Sequence, residues 1–113
     1  MQVVDLQKDK DFQALGVELV SIAPDSQKAW RSDGREWELT DYDTVLTDAD
    51  NQVADSYGVL RWAHPITGEP GHTFVLVDES GTVSWVKDYG GEENGSIMYV
   101  VPDEIVKQLH HQL

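Results

Sequence analysis

Residues 73–87 read Thr73-Phe74-Val75-Leu76-Val77-Asp78-Glu79-Ser80-Gly81-Thr82-Val83-Ser84-Trp85-Val86-Lys87, and this stretch decides the fold. Its first six residues are the strongest strand signal in the chain, apolar and rich in β-branched side chains. Glu79-Ser80-Gly81 supplies turn chemistry. From Thr82 the pattern alternates, as in a strand with one covered face. The stretch therefore predicts an antiparallel hairpin over 73–87.

Working outward, Pro102 suits a first helical position, and Asp103 and Glu104 place acids in the first turn. Ile105, Val106 and Leu109 form the apolar face of that last helix, and Leu113 extends it. Between hairpin and helix, residues 90–95 read as a glycine-rich loop. Upstream, 59–71 is a connection with two prolines and two glycines. A helix over Gln52–Tyr57 is expected, capped by Asp48 or Asp50 and ended by Gly58. Residues 44–47 form a short strand or extended segment.

Towards the N-terminus, Val17-Glu18-Leu19-Val20-Ser21-Ile22-Ala23 reads as a buried strand ending at Pro24-Asp25. A short helix over 27–32 follows, capped by Asp25 or Ser26, and Trp37 and Leu39 are expected to point inward. Residues 2–15 carry Val3, Leu6, Phe12 and Leu15 at helical spacing, and Gly16 sits where that helix should stop. Helices alternating with buried strands predict an α/β sheet in one domain, with no internal repeat or linker.

Composition narrows the function. The 113 residues hold 21 Asp and Glu against 8 Lys and Arg, a net charge of −13. Such a chain repels phosphate, so nucleic acid and anionic membrane surfaces are poor partners. A solvated acidic surface and adaptation to a high-salt host both account for the charge. No stretch approaches the ~18 apolar residues of a membrane span, and no signal-peptide pattern opens the chain, which predicts a cytoplasmic protein or a fragment whose targeting segment is lost. Asn94-Gly95-Ser96 is a glycosylation triplet with no other sign of secretion beside it.

Four segments in order, Val17–Asp25, Leu46–Val59, Thr73–Trp85 and the helix from Pro102, resemble the alkyl hydroperoxide reductase/thiol-specific antioxidant (peroxiredoxin) family. The resemblance implies a thioredoxin-like mixed sheet with flanking helices, and by family a thiol peroxidase or thiol-disulfide oxidoreductase involved in antioxidant defence. It also implies that Met1 falls where the helix after the active-site loop is already under way. The first central strand and the catalytic loop would then lie upstream, and residues 1–113 would be the C-terminal portion of one such domain. A natural Cys-free variant is the second account. The family's Arg or cis proline before the long strand has no clean counterpart. Gly71 occupies the position, His72 follows it, and Pro70 lies one residue early. Pro70, Gly71, His72 and Thr73 are the candidate active-site edge.

The sequence contains no cysteine. Peroxide reduction of this kind needs a thiolate that attacks an O–O bond, and thiol-disulfide exchange needs one too. Ser, Thr and Met98 do not replace it. The expectation is therefore a chain inactive by itself, without a cofactor, whose intact parent draws on a thiol reductant. The other reading is a non-enzymatic thioredoxin-fold binding or assembly module. A sheet lacking its central strand has bare edges, which predicts a homodimer or higher oligomer with exchanged segments.

No metal site is expected. His64, His72, His110 and His111 lack ligand spacing, and adjacent histidines on a helix do not share a face. Asp48-Ala49-Asp50-Asn51 lacks the glycine and closing Glu of a calcium loop, so capping is its expected role. Glu92-Glu93 is expected to face solvent, and Trp62 to belong to the core rather than to a lid.

Overall fold

The computed structural model describes residues 2–25 and 45–113. The expected helix over 27–32 and the inward roles of Trp37 and Leu39 lie outside the described residues.

The N-terminal helical stretch is two helices, α1 (Gln2–Lys8) and α2 (Lys10–Ala14). Asp9 breaks the expected single helix. Its backbone is extended, and its carboxylate accepts from the Phe12 amide at 2.8 Å, so it opens a second helix instead of continuing the first. The apolar face survives the break, with Leu6 and Phe12 buried and Val4 joining them. Gly16 ends α2 at a φ of +71°, a conformation an L side chain resists.

Only Ser21–Ala23 of the expected 17–23 strand is laddered. This strand, β1, pairs in parallel with β2 (Val45–Thr47), Ser21 opposite Val45 and Ala23 opposite Thr47. Residues 17–20 run on with no ladder among the described residues. β2 leads into α3 (Gln52–Ser56) through the buried Asp48. Its carboxylate accepts from the Val53 and Ala54 amides at 3.1 and 3.0 Å, while Asp50 reaches the Gln52 amide at 3.4 Å. Both acids act at this helix start, and Asp48 holds the inner two donors. Asp48→Ala is expected to lower stability by about 1–2 kcal/mol in a urea titration, the usual loss for a capping carboxylate.

A 3₁₀ turn over Val59–Trp62 lies inside the expected connection. The hairpin forms as expected. β3 (Thr73–Val77) and β4 (Val83–Asp88) are antiparallel, with Leu76 opposite Trp85 and a bulge between Leu76 and Val77. The Asp78 carboxylate fixes its turn, accepting from the Ser80 amide and hydroxyl and from the Thr82 amide. A second 3₁₀ turn covers Glu92–Asn94, and its two glutamates are exposed. The chain closes in α4 (Pro102–Gln112).

The main core joins α1, α2 and α4 to one face of the hairpin. Leu6, Phe12, Leu76, Tyr89, Val100, Ile105, Val106 and Leu109 are buried together, with Leu15, Val17, Leu19, Phe74 and Trp85 packed against them. Leu6 and Ile105 are each 1% exposed. Leu113 is 64% exposed and does not extend the apolar face. It follows the last helical turn.

The architecture is mixed α/β, with a departure from the single expected sheet. Among the described residues, β1–β2 and β3–β4 are two separate two-stranded sheets.

Candidate active-site cleft

A cleft of about 580 Å³ lies between the two sheets. Residues 17–25 line one wall and residues 70–76 the other, with Leu6, Phe12, Ile105 and Leu109 beneath. The four residues of the candidate edge, Pro70, Gly71, His72 and Thr73, all border it.

Gly71, His72 and Thr73 are held there by contacts with residues 88–90. Thr73 Oγ1 donates to Asp88 Oδ1 at 2.6 Å across the hairpin, so this hydroxyl is committed to structure. Asp88 Oδ2 accepts from the Gly91 amide and from Asn94 Nδ2, both at 2.8 Å. One buried carboxylate thereby ties the start of β3 to the loop after β4. Burial pushes the Asp88 pKa up, but the donors from Thr73, Asn94 and the Gly91 and Gly90 backbone outweigh it and leave it below the ordinary carboxylate value. His72 is half-buried. Burial holds its pKa below the ordinary value, with the Asp88 charge opposing the shift, so the ring is neutral near pH 7.

Backbone meets backbone behind this edge. A Cβ on Gly90 would lie 2.4 Å from the His72 nitrogen and 3.0 Å from Gly71 Cα. A Cβ on Gly71 would meet Gly90 at 3.3 Å and the Trp62 carbonyl oxygen at 3.4 Å. Trp62, expected in the core, is half-buried and outside the main core cluster, with the Arg61 guanidinium 4.8 Å from its ring centre, and a Cβ on Gly91 would lie 3.1 Å from its Cβ and 3.2 Å from its Cδ1. The Tyr89 amide donates to the His72 carbonyl at 2.8 Å, which extends the β3–β4 ladder to the cleft rim. Tyr89 itself is buried, and burial first and Glu104 second raise its hydroxyl to about 12.

The sequence reading missed Asp88 and Gly90. The signal was present in Lys87-Asp88-Tyr89-Gly90-Gly91, an acid at the end of an apolar strand followed by paired glycines. The other histidines are elsewhere. His64, His110 and His111 are exposed, and His64 Nδ1 accepts from the Ile66 and Thr67 amides in a local turn. Among the described residues no group of three metal-ligating side chains converges, and no helix is long and apolar enough to cross a membrane.

Chemically, the cleft offers an apolar floor, a neutral imidazole and a hydroxyl already donated to a carboxylate. Its lining includes the thioether of Met98, but the chain has no thiol, so the cleft can shelter a reacting thiolate but cannot provide one.

The family model described as AhpC/TSA family matches residues 1–86. No curated protein and no solved structure matches the chain.

Proposed function

From the premise that this chain belongs to the AhpC/TSA family, we propose that it is the scaffold portion of a thiol peroxidase whose sulfur nucleophile sits on a polypeptide segment outside these 113 residues. The observation that carries this reading is the cleft. It separates two small sheets, it is bordered by Pro70–Thr73, and the chain around it has no cysteine. A strand followed by a Cys-bearing loop fits that gap and would bring a thiolate beside His72. There the half-buried wall limits water, and the neutral imidazole of His72 has an acceptor nitrogen that can take up the thiol proton.

The thiolate would attack the terminal peroxide oxygen, break the O–O bond and become a sulfenic acid, releasing water or an alcohol once the leaving oxygen gains a proton. A thiol reductant would then restore it. The residues described here would position and shield that sulfur.

The test is hydroperoxide consumption with dithiothreitol present. The 113-residue chain is expected to show no turnover above buffer. A product of the same gene that reads upstream of Met1 into a strand and a Cys-containing loop is expected to consume peroxide. Turnover by the Cys-free chain overturns the proposal. So does an in-frame stop codon directly ahead of Met1.

A further inference from the structure

The loop after β4 holds a dipeptide that the proposed thiol chemistry does not use, Asn94-Gly95. Two structural demands set these residue types side by side. Asn94 ends the second 3₁₀ turn, and its Nδ2 donates to the buried Asp88 Oδ2 at 2.8 Å, which calls for a short side chain carrying N–H. Gly95 stands at a φ of +100°, in the left-handed region that glycine occupies without strain. Both residues are exposed.

Together they are reactive. Attack of the Gly95 amide nitrogen on Asn94 Cγ closes a succinimide ring, and glycine has no side chain to hinder the closure. The Gly95 N–Cγ bond forms, the Cγ–Nδ2 bond breaks, and the Gly95 amide hydrogen leaves with Nδ2 as ammonia. Water then opens the ring at Cγ to give aspartate, or at the main-chain carbonyl carbon to give isoaspartate. No oxidant or reductant takes part.

The fold restrains this reaction. Asn94 lies in helical backbone, which keeps Cγ away from the following nitrogen. The Gly95 amide donates to the Glu92 carbonyl at 3.3 Å, a long bond that is easily given up. Asp88 anchors Nδ2, the group that must leave, and a carboxylate accepting from that nitrogen makes Cγ a poorer electrophile. The Asp88 bond is the strongest of these restraints because its acceptor is charged.

We infer that Asn94 is a self-modification site: its hydrogen bond to Asp88 sets the rate at which it converts to aspartate or isoaspartate, and the conversion unties the start of β3 from the loop after β4.

The consequence follows from charge and geometry. The product carries a carboxylate where a donor stood, facing the Asp88 carboxylate, which is only 7% exposed. Two carboxylates at hydrogen-bond distance repel, so one moves away or takes up a proton. Isoaspartate also adds a carbon to the main chain, in a turn where Ser96 already stands at a φ of +53° and the Ile97 amide donates to the Tyr89 carbonyl at 2.9 Å. Asp88 then loses one of the donors that let it hold Thr73 and Gly91 together, and the cleft edge loosens.

The experiment incubates the full chain in mildly alkaline buffer, where the Gly95 amide is more readily deprotonated. Peptide mapping that separates aspartate from isoaspartate follows both asparagines of the chain. Asn94 is expected to convert with release of one ammonia per chain, while Asn51, followed by the bulkier Gln52, stays intact. A peptide of residues 90–98 should convert roughly tenfold faster than the folded chain, the restraint that one hydrogen bond to a charged group supplies. Asp88→Asn keeps the geometry and removes the charge. It should speed conversion about threefold, since a charge-assisted bond is roughly twice as strong as a neutral one. Thr73→Val loosens the same edge but leaves the Asn94 bond in place, and should speed it less. Asn94→Asp supplies the converted state directly and should quicken hydrogen exchange at the Gly91 amide and lower the urea midpoint.

Three results overturn the inference. One is an intact Asn94 in the folded chain under conditions that convert the peptide fully. Another is an Asp88→Asn rate no higher than that of Thr73→Val. The third is unchanged Gly91 exchange and an unchanged urea midpoint in Asn94→Asp. The reaction needs no thiol, so either outcome leaves the peroxidase test standing.

Discussion

Gly90→Ala is expected to lower stability by roughly 2–4 kcal/mol, read as a shift in the urea midpoint with an unchanged slope. The reason is steric and not conformational, since Gly90 does not need a left-handed backbone. Its missing side chain makes room for another stretch of main chain. An added Cβ would lie 2.4 Å from the His72 nitrogen and 3.1 Å from the Gly71 carbonyl carbon. Both are backbone atoms, so no rotamer change relieves the clash and residues 71–72 must move as a unit. That movement pulls the His72 carbonyl from the Tyr89 amide and strains the Thr73–Asp88 contact. Overpacking by one carbon ordinarily costs about 1–3 kcal/mol, and here hydrogen bonds are lost as well. Gly81→Ala is the control. Gly81 has a φ of +85° and open space around it, so only left-handed strain of about 1–2 kcal/mol is expected. If Gly90→Ala proves no worse than Gly81→Ala, the close crossing behind the cleft edge is wrong.

The two glycines also show which parts of this fold the sequence could disclose. The hairpin was legible because both its strands and its turn are written in contiguous residues, and Asp78 closes the turn locally. The last helix was legible through Pro102, its first-turn acids and its apolar stripe. Asp48 as a cap was legible for the same reason. What failed to show was whatever depends on residues distant in the chain. Asp9 is an exception, because its cap on the Phe12 amide three residues on is local and the helical spacing of the apolar residues around it masked the break. The run at 17–20 has ideal strand composition, but laddering requires a partner, and among the described residues it has none. Asp88 reads as one more acid in an acidic chain until Thr73 and Asn94 are seen to converge on it from opposite directions. The candidate edge at Pro70–Thr73 came through family resemblance. Its physical content, a backbone crossing and a shared carboxylate, belongs to the tertiary fold.

Asp88→Ala is expected to cost about 3 kcal/mol at neutral pH, and Asp88→Asn markedly less. Alanine strands three donors, the Thr73 hydroxyl, the Gly91 amide and Asn94 Nδ2, in a place where water replaces them poorly. Each such loss costs on the order of 1 kcal/mol or more. Asparagine can keep its oxygen where Oδ2 lies, accepting from Gly91 and Asn94. The Thr73 hydroxyl rotates to accept from the new amide. Geometry survives and charge does not, so the gap between the two variants isolates the charge-assisted part. The pH dependence has a definite sign. The folded carboxyl titrates below its ordinary value of 3.8, so at low pH the unfolded chain binds the proton more readily than the native one. Its extra stability is fully present above the unfolded value and is lost as pH falls through the folded one. The difference in stability between wild type and Asp88→Asn should therefore be flat above about pH 5 and shrink on acidification below pH 4. A difference that holds constant down to pH 2 would mean that the carboxylate gains nothing from its donors. The tie between β3 and the loop after β4 would then have to lie in packing around Tyr89 instead.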